Sequence, residues 1–336
     1  MPQNILGFEL EWFDPVSTLL HTIFMKYYLD DDTIELLHSK MKSQFLARIY
    51  YPEVKLTDMF VGNSITVFNR LLAVKGYCND ATRKFMEERE IHIMMTIRGK
   101  DIQAICDVMK SAMKYNFFTN RVKKIANDLK VINCDAKSLD LIVEFVSTET
   151  KDPTDADNFI SEASSCIPDI TSTIDTAVEI TRIFEGVKVY KSKNPCTLCL
   201  IKPHILKDKM EGSVIKHIVD QGYEIDSLVS LHMNINMAEY LFEVYRGIFP
   251  KYTSMMEHIV SGPVLAIQIS HPSLEVVPNF RELCGPLEPP LGQKILPDTI
   301  RAKFGSDVIR NAVHCTDLPE DGDTECTYIF QTLANI

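Results

Sequence analysis

The sequence predicts a multidomain α+β protein, and three observations carry that expectation. Its 336 residues suffice for two or three domains. Residues 6–80 read as short apolar runs separated by turn-forming pairs, which suits a small barrel or sandwich. Beyond residue 89, buried-type apolar runs alternate with helical periodicity, the pattern of helices packed on a sheet.

Composition narrows the class. A hydrophobic share of 46% with 24% charged residues, 16 Pro and 13 Gly describes a globular chain and not a disordered one. The net charge of −11 argues against nucleic acid or an anionic membrane as partner of the whole chain. No apolar run nears the roughly 20 residues that span a bilayer. Residues 1–25 lack a basic stretch followed by an unbroken apolar one, so no secretory signal is expected. Nine scattered cysteines then fit reduced thiols in the cytosol.

In chain order, residues 6–12 alternate partially and stop at Asp14-Pro15. Residues 24–28 and 33–37 flank Asp30-Asp31-Asp32, which reads as a hairpin with turn-forming acids and not as a metal site. Residues 45–50 and, after Gly62-Asn63, 64–68 are further strands. Trp12, Phe13, Tyr27, Tyr28 and Tyr50 read as core and rim. Next, residues 91–97 form an apolar strand; Ile102, Ile105, Val108, Met109 and Met113 mark one helix face; residues 139–145 form a buried strand. The polar stretch 151–157 reads as a loop, and 158–172 fits no element. No histidine lies between His92 and His204.

Residues 196–201 are an apolar run read as a buried strand, and this outweighs the zinc-like spacing of Cys196 and Cys199, which has no second pair. Val214, Ile215, Ile218 and Val219 make a helical stripe closed by Gly222. A strand at 223–229, helices at 238–245 and 252–259, and a buried strand at 264–269 complete the core of this part. His217 and His258 fall on helices and read as structural.

One constellation carries chemistry. His314 sits three residues after Asn311 and two before a hydroxyl, and Lys202 ends the apolar run far upstream. A neutral imidazole can attack the γ-phosphorus of a polyphosphate and hold the phosphoryl group covalently. That needs cations on the phosphate oxygens and a partner that fixes the ring's tautomer. Lys202, Arg281 and Arg301 can supply the cations, and Glu325 the partner. Cys315, beside His314, reads as a small structural residue more readily than as a reactive thiol.

The motifs 201–203 (IKP), 261–263 (SGP), 280–281 (FR), 284–286 (CGP), 299–301 (TIR), 310–311 (RN) and the histidine stretch resemble, in this order, the nucleoside diphosphate kinase family. The resemblance implies a phosphohistidine at His314, a phosphate lysine at Lys202, phosphate arginines at Arg281 and Arg301, a ribose contact at Asn311 and a histidine-orienting carboxylate at Glu325. It places the active-site tyrosine on Val244 or Tyr245, the base-stacking aromatic on Tyr252, and a phosphate-side threonine on Leu287, which cannot donate a hydrogen bond. His204 stands where an acidic residue is usual. Residues 89–192 resemble a degenerate copy of the same domain, with Arg98 near the lysine's place and no counterpart of the histidine.

The first stretch resembles the DM-ten domain of ciliary and flagellar axoneme proteins, through residues 11–15 (EWFDP), 26–28 (KYY), the acidic turn, 58–63 (DMFVGN) and 67–68 (VF). The implied architecture is a PH-like β-barrel at 1–88, a degenerate kinase-like sandwich of ferredoxin type at 89–192, and a second at 193–336 with most site residues kept. The implied role is a structural, microtubule-associated protein of the axoneme, a doublet microtubule inner protein of cytoplasm and cytoskeleton that contacts tubulin and its neighbours. The alternative is an enzyme passing the γ-phosphoryl group of Mg²⁺-bound ATP to nucleoside diphosphates through His314, at most weakly.

Overall fold

The computed structural model describes residues 4–14, 17, 19–38, 43–61, 64–68, 70–97, 102–124, 140–148, 153–167, 170–175, 177–187, 195–272 and 275–334. The expectations placed on Pro15, Gly62-Asn63 and Arg98 lie outside the described residues.

The chain begins with strands β1 (Ile5–Asp14), β2 (Leu19–Tyr28), β3 (Thr33–His38), β4 (Gln44–Tyr50), β5 (Ser64–Val67) and β6 (Arg70–Tyr77), followed by helix α1 (Asp80–Glu87). There follow β7 (Ile91–Ile97), α2 (Ile102–Ala112), β8 (Phe118–Lys124), β9 (Leu141–Ser147), α3 (Pro153–Cys166), β10 (Thr171–Asp175) and α4 (Ala177–Gly186). The remainder holds β11 (Thr197–Ile201), α5 (Pro203–Lys207), α6 (Glu211–Asp220), β12 (Glu224–His232), α7 (Ile235–Phe242), α8 (Tyr252–Ile259), β13 (Pro263–Ser270), α9 (Val276–Cys284), α10 (Pro289–Ile295), α11 (Ile300–Phe304), β14 (Val313–Cys315) and α12 (Asp321–Thr327). Two compact units emerge: residues 1–90 with 232–262, and residues 91–231 with 263–336. Among the described residues, no helix is long and apolar enough to cross a membrane.

In the first unit, β1 to β6 form one antiparallel sheet in the order β4-β3-β2-β1-β6-β5. Period-two alternation puts Leu6, Phe8, Leu10, Ile23, Met25, Ile34 and Leu36 into one core. The acidic turn after β2 is as expected: Asp31 accepts from the Thr33 amide and hydroxyl and from Arg48, and Asp32 takes φ +53°. Strands β4 and β5 stand at opposite ends of the order, so the expected barrel is a curled, open half-barrel.

The second unit is organised on an eight-stranded sheet, β10-β7-β9-β8-β12-β13-β11-β14. It contains the same motif twice, strand, helix, two strands, helix, strand, with α7 and α8 intervening in sequence between the two strands of the second copy. In each copy the fourth strand lies beside the first, and the third beside the second. The copies meet like to like. Strand β8 pairs antiparallel with β12, Val229 opposite Lys123, and α2 packs on α6. The seam is reinforced by Ser230, which accepts from the Val122 amide at 2.8 Å, and by the Lys124 ammonium on the carbonyls of Ile225 and Asp226. Gly212 sets the helix spacing, since a Cβ there would lie 3.1 Å from the Cys106 carbonyl. A single apolar cluster crosses the seam, from Ile93, Phe145 and Phe159 to Ile201, Ile215 and Ile267.

Two expectations about the middle of the chain are corrected. The stretch read as a loop is helical from Pro153, a residue suited to the first helical position. Ala156, Phe159 and Ala163 recur at helical spacing and are buried, a stripe hidden by the polar residues between them. The unplaced stretch is the rest of α3 and the exposed edge strand β10. His92 lies on β7 as expected, with its Nδ1 2.9 Å from Glu144, a fully buried carboxylate that also accepts from Arg121 and Asn120.

At the seam, Glu211 is a buried carboxyl in the first turn of α6, beside Thr119, with no hydrogen-bond partner for Oε2. Burial pushes it up to about 7 from 4.5. The native state therefore holds this proton where the unfolded chain has released it. Stability is full below the unfolded value and falls as pH rises towards 7, by on the order of 3 kcal/mol for this group. Glu211→Gln should remove that fall and unfold later than the parent at pH 8. Urea melts at pH 5 and pH 8 check it, and an unchanged pH dependence in the variant would refute the assignment.

Candidate functional site

The site is built at one end of β11. This strand is fully buried, and its last residue is followed by Lys202, the N-cap of α5, with Pro203 at the first helical position. Strand β14 pairs with it antiparallel, setting Cys315 opposite Cys199, His314 opposite Leu200 and Val313 opposite Ile201. The sheet thus brings together a lysine and a histidine more than a hundred residues apart in sequence. The Lys202 amide donates to the Ala312 carbonyl at 2.9 Å, and its ammonium to the Ile309 carbonyl at 3.0 Å.

The approach to His314 is strained. Ala312 takes φ +70°, and the Val313 amide donates back to the Asn311 carbonyl at 2.9 Å. This is a γ-turn in the sparsely populated region, worth about 1–3 kcal/mol of local strain. The preceding turn supports it. Asp307 accepts from the amides of Ile309 and Arg310 and from the Arg310 guanidinium. Burial works against its charge, but these donors outweigh it and hold the carboxyl at about 2.

His314 is buried, with Nε2 3.6 Å from Glu325 on α12. Glu325 accepts from the Thr316 hydroxyl at 2.7 Å, and that hydroxyl accepts from the Leu198 amide at 3.0 Å. The carboxylate is therefore aimed at the imidazole through β11 itself. Helix α12 comes this close because of Gly322, where a Cβ would fall 2.3 Å from the Cys196 carbonyl. Thr316 has no assigned role in the sequence reading. The sequence signal for it is its spacing of two from His314, which in extended backbone sets both side chains on one face.

The three expected cations are all near but differently engaged. Arg301 is 8% exposed and faces inward. Its guanidinium donates to the Gly285 carbonyl at 2.7 Å, to the Val313 carbonyl through two nitrogens at 3.2 and 3.3 Å, and to the Cys315 thiol sulfur at 3.6 Å. Gly285 is required there, with φ +79° and a virtual Cβ 2.3 Å from the Thr299 hydroxyl. Arg281, on α9, is half exposed and paired with Asp317. Lys202 is buried, and burial, then the nearby Arg301 charge, draws its ammonium down to about 7. His204 is drawn down to about 4 by burial and by Lys202 and Arg310. Asn311 donates to the Leu287 carbonyl at 3.3 Å, and its Oδ1 is buried with no partner. Leu287 itself is 52% exposed. A groove of about 600 Å³ lined by Arg281, Gly285, Pro286, Leu296 and Asp317 runs beside these residues.

Lys202, Arg281, Arg301, Asn311, His314 and Glu325 thus belong to one compact unit and converge on the β11–β14 edge. Tyr245 and Tyr252 belong to the other unit. The arrangement offers an imidazole nucleophile, a carboxylate on its far nitrogen and cations within the same shell.

Known proteins resemble this chain over part or most of its length. The family model for nucleoside diphosphate kinase matches residues 195–334. The rat protein "Nucleoside diphosphate kinase homolog 7" is 29% identical over 374 aligned positions, covering 98% of this chain and 93% of the relative. A nucleoside diphosphate kinase of Helicobacter acinonychis is 34% identical over 136 residues, 40% of this chain and 95% of the relative. A crystal structure of the Aquifex aeolicus enzyme aligns with 42% of this chain and 98% of its own, at 28% identity and a TM-score of 0.39. A third-identical relative covered almost end to end decides the lineage: the chain belongs to the nucleoside diphosphate kinase family.

Proposed function

We propose that the chain is a structural, microtubule-associated component of the ciliary or flagellar axoneme that keeps one attenuated nucleotide-phosphate site at His314. The observation that carries the attenuation is the state of the cations. Arg301 is held by carbonyls, Arg281 by Asp317, and Lys202 is drawn towards neutrality. An incoming phosphate must displace these contacts, and Leu287 adds no hydroxyl to help it. One lost donor to developing charge costs roughly 2–4 kcal/mol of transition-state binding.

The modules follow the same reading. The half-barrel is the DM-ten, PH-like module. The repeated strand–helix–strand–strand–helix–strand motif of the second unit is the ferredoxin-like pattern, present once as a degenerate copy and once with its site. In the degenerate copy, β10 occupies the place that β14 has in the other, and its sequence, TSTID, contains no histidine. That copy serves as packing partner and docking face. The near full-length alignment with homolog 7 supports a shared three-module plan. Tubulin and neighbouring doublet proteins are the proposed partners.

For the residual chemistry, Glu325 lies 3.6 Å from Nε2 of His314, and the opposite nitrogen, Nδ1, would attack the γ-phosphorus. Arg281 and Lys202 would take the phosphate oxygens, and Asn311, with its buried and unpartnered Oδ1, a ribose hydroxyl. Mg²⁺ would arrive on the nucleotide phosphates.

Three outcomes are expected. Nucleotide affinity should fall about tenfold from pH 6 to pH 8, because phosphate needs the Lys202 ammonium and its proton is lost through about 7; Lys202→Arg should flatten the profile, and affinity rising with pH in the parent would contradict it. His314→Ala in the full chain should abolish acid-labile label from γ-labelled ATP, and label that persists would mean the other copy is live. A null strain given the His314→Ala protein should build normal, motile axonemes. Loss of both, with the protein folded and in place, would make phosphoryl transfer the function.

A further inference from the structure

The inner face of the half-barrel changes character at one end. Along β1, β2, β3 and β6 the inward positions are apolar through the core and then become Trp12, His21, His38 and Arg70. Strand pairing gathers them: Trp12 stands between His21 and Leu72, His38 opposite Ile23, and Arg70 opposite Val67. Phe45, near the start of β4, closes a circuit of rings. Centroids lie 5.3 Å apart for Trp12 and His21, 5.4 Å for His21 and His38, 6.3 Å for His38 and Phe45, and 5.8 Å for Phe45 and Trp12. The Arg70 guanidinium caps the circuit, 5.2 Å from the Trp12 centroid and 5.4 Å from that of Phe45.

Two features of this end are not required by the fold. Arg70 is exposed, and among the described residues its partners are those two rings, with no carboxylate or carbonyl accepting from it. Rings hold a guanidinium in place but leave its N–H donors open. Asp14, at the same end of β1, accepts from the Ser17 hydroxyl at 2.6 Å. The second feature is Phe68. It opens the tight turn between β5 and β6 at φ +46°, a position suited to Asn or Gly, and it is half exposed. Tyr51 steadies it, its hydroxyl accepting from the Phe68 amide at 3.2 Å with the rings 5.1 Å apart. A strained turn thus presents an aromatic side chain at the end of the sheet that holds an unneutralised cation.

We propose that this end of the half-barrel docks an acidic segment of a partner protein, with a Glu or Asp carboxylate on Arg70 and a neighbouring apolar side chain against Phe68. The charge selects an anion, and the planar fork suits a carboxylate held through two parallel hydrogen bonds. A cationic ligand does not fit, because Arg70 already stands on the rings it would need. A stacked base fits no better, since Trp12 is already stacked on His21 and capped by Arg70. An anionic bilayer needs several basic residues side by side, and the net charge of −11 opposes it. This surface belongs to the other compact unit from His314 and does not depend on the reading of that site.

Trp12 is the sole tryptophan of the chain, so its emission reports on this end. The test titrates the full chain with a short Glu-rich peptide carrying one central Phe and, in parallel, with the same peptide carrying Gln for every Glu. Expected is a saturable change in Trp12 emission with the acidic peptide, weakened by added salt, and binding of the Gln peptide weaker by about tenfold or more. Arg70→Gln should lose the acidic peptide by the same factor. Phe68→Asn should weaken binding while melting no lower than the parent, because Asn suits the turn. Lys75→Gln removes a charge from the outer face of β6, where Lys75 pairs with Glu11, and should bind as the parent does. No response to the acidic peptide, equal binding of the two peptides, or equal losses in Arg70→Gln and Lys75→Gln would each overturn the proposal. A response to oligothymidylate or to phosphatidylserine vesicles in place of the acidic peptide would overturn it in favour of nucleic acid or membrane.

Discussion

The buried guanidinium of Arg301 is the contact on which the functional end of the chain depends. It bridges the Gly285 carbonyl, at the end of α9, to the Val313 carbonyl on the histidine strand, and reaches the Cys315 sulfur as well. Three segments distant in sequence are fixed by one planar group with five donors, a task that a lysine's single ammonium could not perform. The strained turn at Ala312 persists because these contacts over-determine it: Lys202 takes its carbonyl, and Arg301 holds the next.

Under the proposed function, that role competes with phosphate recognition. A guanidinium in a site built for turnover must be available to charge that appears only in the transition state. Here it already completes the fold, and Arg281 and Lys202 are engaged as well. The same groups that could bind an anion here hold the structure. The six residues are present, and the balance among their partners sets what they do.

The eight-stranded sheet shows what the first copy of the motif contributes to the second. Its strand β8 completes the edge of β12, and α2 covers α6 through the close contact at Gly212. An exposed β12 edge and an uncovered α6 would present unpaired amides and an apolar stripe to solvent. The packing surface of the first copy is constrained whatever chemistry it carries, since burial depends on shape and apolarity.

Local patterns determined much of this. Period-two runs placed most strands, the acidic triplet placed its hairpin, and the ordered motifs around Lys202, Arg281, Arg301, Asn311, His314 and Glu325 named the residues of one site. Helix α3 was illegible because its buried stripe, Ala156, Phe159 and Ala163, is thin and set among acids and serines. The half-barrel's open edges, the joining of two copies into one sheet, the inward turn of Arg301 and the aiming of Glu325 by Thr316 were decided only in three dimensions. Residue type and spacing record what a segment can do by itself. Which carbonyl a guanidinium reaches depends on strands and helices brought together from along the chain, and that is a property of packing.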